Sequence, residues 1–106
     1  MKKAGKRILL VDDHPIMRHG LAQLINSEPD LQICGEAGSS AEGLRAVEKL
    51  RPDLVIADLT LPDKHGLEFI KDLHAMFPGT RVLVLSMHDE SLYAERALRV
   101  GARGYL

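Results

Sequence analysis

Short apolar runs recur along this chain, and amphipathic segments of helical period separate them. The runs Arg7–Asp12, Leu31–Ala37, Leu54–Asp58, Arg81–Ser86 and Gly104–Leu106 predict buried strands. Pro15, at a first-turn position, opens a helix carrying Ile16, Met17, Leu21, Leu24 and Ile25 on one face. Ser40 is placed to cap a second, with Ala41, Leu44, Val47, Glu48 and Leu50, which stops before Pro52. A third runs from Gly66 to Phe77 with Leu67, Phe69, Ile70 and Leu73, and ends at Pro78-Gly79. A fourth follows Asp89, with Leu92, Tyr93, Ala97, Leu98 and Val100, and stops at Gly101. Strand and helix alternate throughout, which predicts a parallel sheet with helices on both faces. There is no linker, repeat or low-complexity stretch, so residues 1–106 are expected to form one domain.

The ends of the strands carry the chemistry. Ile8-Leu9-Leu10-Val11 runs into Asp12-Asp13, and Leu54-Val55-Ile56-Ala57 ends in Asp58. With strand order 2-1-3-4-5 the first and third strands are neighbours, and the three acids meet at the C-terminal rim, where open α/β sheets bind ligands. Two carboxylates ~5 Å apart repel by roughly 3 kcal/mol at an effective dielectric near 20. Such a cluster takes up a proton or holds a hard cation. An all-oxygen set suits Mg²⁺, which keeps several waters and leaves room for a phosphate oxygen. A carboxylate beside that ion can attack a phosphoryl group and form an aspartyl phosphate. Ser86, at the end of Val82-Leu83-Val84-Leu85, reaches the same rim and can donate to a phosphoryl oxygen. The competing assignment makes Asp12 and Asp13 caps of the first helix and Ser86 a cap of the fourth; Asp58 has no helix to cap.

Composition narrows the choice a little. Fourteen Lys and Arg balance fifteen Asp and Glu, so neither nucleic acid nor an anionic membrane is called for. The lone Cys34 excludes a disulfide framework and a cysteine metal site, and is expected to be an inert core thiol. No apolar stretch approaches the ~20 residues needed to span a bilayer, and the basic start is not a signal peptide. A reducing, cytoplasmic setting is expected.

Four segments, Val11-Asp12-Asp13-His14-Pro15, Pro52 to Pro62 around Asp58, Leu83 to Asp89, and Ala97 to Leu106, closely resemble bacterial response-regulator receiver domains. The subgroup they resemble is the LuxR/NarL type with a helix-turn-helix output domain. The resemblance implies a flavodoxin-like fold, with Asp58 as acceptor of a phosphoryl group from a sensor histidine kinase. It implies Mg²⁺ held by Asp12, Asp13, the Asp58 side chain and the backbone carbonyl of Thr60. It makes Ser86 the switch hydroxyl and Tyr105 the aromatic switch residue. Family members continue to a lysine and a fifth helix, so the last strand and helix are expected to be incomplete here. Lys64, in the loop after the acceptor strand, is read as a solvated charge rather than a substitute. DNA would be reached only through an output domain that this chain lacks. An uncovered sheet face would favour a homodimer or other self-association.

The remaining polar residues are assigned more modest parts. His14, His19, His65, His74 and His88 fall on different elements, so a histidine metal site is not expected. His14 instead flanks the acidic pocket and tunes it through charge at lower pH. Thr60 is either a contact to phosphate or water, or a plain loop hydroxyl. Three rival functions remain. An aspartate-nucleophile phosphatase needs Asp-x-Asp after the first strand, whereas Asp58 is followed by Leu59-Thr60. An FMN carrier needs a hydroxyl- and glycine-rich loop where this chain has Asp13-His14-Pro15. The third is an interaction domain that works without phosphorylation.

Overall fold

The computed structural model describes residues 5–58, 66–85 and 104–105. Its elements are β1 (Lys6–Val11), α1 (Pro15–Asn26), β2 (Leu31–Ala37), α2 (Ser40–Leu50), β3 (Leu54–Asp58), α3 (Gly66–Met76), β4 (Arg81–Leu85) and β5 (Gly104–Tyr105). All strands are parallel, in the order β2-β1-β3-β4-β5 expected from the sequence. The segment expected to form a fourth helix, 89–100, lies outside the described residues.

Strand parity divides the core. Leu9, Val11, Val55, Ala57, Val82 and Val84 point to one face, where they meet Val47 of α2 and Phe69, Ile70 and Leu73 of α3. Ile8 and Leu10, of opposite parity, are buried towards the side of α1, whose own buried residue is Ala22. This small contact corrects the expectation for α1. Ile16 and Leu24 were assigned to its packed face, yet they are 90% and 68% exposed. Periodicity identifies an apolar stripe; the position of the neighbouring strands decides which part of it is covered.

Two local details hold the layers in place. Ser39, not Ser40, is the N-cap of α2: its hydroxyl accepts from Glu42 N at 3.2 Å, while Glu42 Oε1 accepts from Gly38 N at 2.9 Å. Ser40 sits one residue inside, buried. At the other end Arg51 closes α2 in the left-handed region, φ 49°, and its backbone N–H returns to Val47 O at 2.9 Å. Arg7 of β1 adds a cation at that end, donating from Nη1 to the carbonyls of Leu50 at 2.5 Å and Arg51 at 3.2 Å.

β2 is irregular where β1 pairs with it. The register passes from Ile8–Ile33 to Leu9–Gly35, so Cys34 is the extra residue of a β-bulge. Cys34 is half-buried rather than a core thiol. Burial pushes its pKa above the ordinary value, and Asp53 adds to this while Arg7 opposes it.

Candidate functional site

The chain leaves β1 for β2 on one side of the sheet and later returns to β3 on the other. Beyond the C-terminal ends of β1 and β3 this reversal opens a crevice. Val11 pairs with Ala57, so the residues that follow each, Asp12 and Asp58, are brought side by side. Both are buried, at 6% exposure each, and Asp13 is partly exposed. One ligand atom from each of Asp12, Asp13, His14 and Asp58 lies within 4.8 Å of all the others.

The expected trio therefore assembles, but His14 does not merely flank it. Its Nδ1 lies 2.9 Å from Asp12 Oδ1, 3.1 Å from Asp13 Oδ1 and 3.3 Å from Asp58 Oδ2. The hydrogen bond that His14 donates to Asp12, and the charges of Asp13 and Asp58, raise the His14 pKa above its ordinary 6.5. His14 is also the N-cap residue of α1, with Pro15 at the first helical position. Its own N–H donates to Asp12 Oδ1 at 2.8 Å, so Asp12 fixes the start of the helix without capping it in the usual sense. Of the two roles left open, the first is seen only as this contact of Asp12 with the His14 N–H, since α1 has no side-chain cap hydrogen bond.

Arg18 is the residue that sequence reasoning passed over. One turn into α1, its Nη1 donates to the Asp12 carbonyl at 2.7 Å, and its Nε to Glu36 Oε1 at 3.0 Å. Arg18 thus ties α1, β1 and β2 together behind the acids. No spacing in the sequence marks this role, because its partners are a backbone carbonyl and a residue of another strand.

The donor set fits a hard divalent cation. A single N–H at Nδ1 can satisfy one carboxylate, and Asp13 Oδ1 is buried yet accepts no hydrogen bond among the described residues. A cation can be shared by all three oxygens where a hydrogen cannot. Ser86, Thr60 and Lys64 lie outside the described residues, and Tyr105 enters only as a backbone position paired with Val84. Among the described residues, no helix is long and apolar enough to cross a membrane.

Comparison with known proteins agrees with this geometry. Residues 8–106 match the family described as the response regulator receiver domain. The chain is 39% identical over 100 residues to the DNA-binding transcriptional activator DevR/DosR of Mycobacterium tuberculosis, covering 94% of this chain and 46% of that protein. It is 40% identical over 99 residues to the nitrate/nitrite response regulator protein NarL of Escherichia coli K12, covering 93% and 46%. It thus spans about half the length of the curated relatives it matches. Among solved structures, a LuxR-family two-component response regulator from Aurantimonas sp. SI85-9A1 superposes with TM-score 0.92 at 38% identity, over 96% of this chain and 73% of that one. Fold, acid cluster and relatives lead to the same place: this chain belongs to the response regulator receiver domain family.

Proposed function

We propose that Asp58 accepts a phosphoryl group from the phosphohistidine of a sensor histidine kinase, and that residues 1–106 act as one receiver domain. One observation supports this above all: the carboxylates of Asp12, Asp13 and Asp58 converge on a single point at the rim of the sheet, in a chain of this family. In the transfer, an Asp58 oxygen bonds to phosphorus as the phosphorus–nitrogen bond breaks. The electron pair returns to the donor imidazole, which takes up a proton. Asp12, Asp13, Asp58 and the Thr60 carbonyl would hold Mg²⁺. Bound there, the ion supplies positive charge that stabilises the phosphoryl oxygens.

This chain's own contribution is position. Asp58 is buried at the end of a strand that is paired on both sides, so it meets an incoming phosphoryl group with little freedom to lose. Arg18 keeps Asp12 in register with it. Ser86 would donate to the phosphoryl group and Tyr105 would move with it, changing the surface around β4 and β5. The added charge biases that surface between two states. It would be read by a second copy of the chain or by a DNA-binding output domain such as the relatives' greater length allows. The protein would be a cytoplasmic signalling component rather than a turnover enzyme.

Incubation with acetyl phosphate and Mg²⁺ tests the reading. One phosphoryl group per chain, sensitive to hydroxylamine and absent from Asp58→Asn, is expected; labelling that survives the substitution would refute the assignment.

A further inference from the structure

Three carboxylates make an oxygen site, yet the atom nearest to all of them is a nitrogen. His14 Nδ1 lies 2.9, 3.1 and 3.3 Å from the three oxygens. Two ligands of one cation, bonded at about 2.1 Å and roughly at right angles, stand about 3 Å apart, so Nδ1 sits where a fourth ligand would. The backbone that carries the ring is held in place. The His14 backbone is held by Asp12 Oδ1 on its N–H, at 2.8 Å, and by Arg18 N on its carbonyl, at 2.9 Å. Pro15 then fixes the backbone that follows.

We propose that His14 is a nitrogen ligand of the cation site, so that the site prefers Mn²⁺, Co²⁺, Ni²⁺ and Zn²⁺ over Mg²⁺ more strongly than three carboxylates alone would. This rests on reading the acid cluster as a cation site. Imidazole suits borderline transition ions, whereas Mg²⁺ gains little from exchanging a water for it. His14 binds through Nδ1, with the ring N–H carried on Nε2; the side chain is 57% exposed, so that N–H can be hydrated. Asp13 Oδ1, which accepts no hydrogen bond among the described residues, would gain the ion as its partner.

The experiment uses the 106-residue chain loaded with Mn²⁺, beside His14→Ala and His14→Gln. Pulsed electron paramagnetic resonance reads nitrogen coupled to the bound Mn²⁺, and competition against Mn²⁺ reads the Ni²⁺ and Mg²⁺ affinities. Nitrogen coupling in the native chain, lost in both variants, is expected. The ratio of Ni²⁺ to Mg²⁺ affinity should fall by at least roughly tenfold with it. Bound Mn²⁺ without nitrogen coupling, coupling that persists in the variants, or an unchanged ratio would overturn the role of His14 and leave the cation site standing. Absence of any Mn²⁺ binding would overturn both.

Discussion

Gly43 of α2 lies flat against the ring of Phe69 in α3: a Cβ built on the glycine would stand 2.9 Å from both Cε1 and Cζ, and 3.2 Å from Val11 Cγ2. Val11 is the residue before Asp12, so this contact lies directly beneath the acid cluster. Phe69 is fully buried and cannot swing away. Gly43→Ala should therefore destabilise the fold. Overpacking of a full core costs about 1–3 kcal/mol, and the better helix propensity of alanine returns at most about 1 kcal/mol. Urea denaturation would measure the loss. Combining the change with Phe69→Leu should restore part of it, because the two sites share one space.

Repulsion among the acids gives a second expectation. Without divalent ions, Asp13→Asn should stabilise the chain by roughly 1 kcal/mol, since it removes one of three converging charges and leaves the Asp12 contacts in place. With Mg²⁺ added, the native chain should gain more stability than the variant. Thermal melts with and without the ion, on both proteins, would show the crossover.

The imidazole of His14 adds a pH dependence to the stability of the ion-free chain. Its pKa is raised by the Asp12 hydrogen bond and the neighbouring carboxylates. A raised value in the folded state means stabilisation that is fully present below the ordinary 6.5 and is lost as pH rises through the folded value. With ions chelated, the stability difference between the native chain and His14→Gln should shrink over that window. An NMR titration of the His14 ring protons would locate it.

Cys34 should react slowly. Its thiol is half-buried in the bulge of β2 and held protonated by burial. Alkylation by iodoacetamide at neutral pH should be at least roughly tenfold slower in the native chain than in urea. Equal rates would mean that the bulge is open.

Much of this was legible from residue order. β2 and β3 fall at the expected bounds and α3 begins where expected, because apolar runs bounded by Pro, Gly and Asp leave little choice. The meeting of Asp12, Asp13 and Asp58 followed from strand order alone. What escaped depends on three-dimensional detail. Ser40 was the expected cap, and backbone geometry selects Ser39 instead: Ser39→Ala should cost about 1 kcal/mol, measured by chemical denaturation. The bulge at Cys34 is a mismatch between two strands that neither strand records by itself. The central place of His14 depends on a side-chain rotamer and on three partners from two strands.

β1 has one further consequence, for the order in which the molecule can form. It is hydrogen-bonded along both edges, to β2 and to β3. The first of these strands in chain order therefore lies inside the sheet, one place in from its edge, and has no complete set of partners until β3 has been made. Pairings this distant in the chain close slowly, and an unpaired apolar strand is exposed to aggregation meanwhile. Changes in β1, such as a polar residue at Leu9 or Leu10, would be felt as poor yield of folded chain before they were felt as weakened signalling.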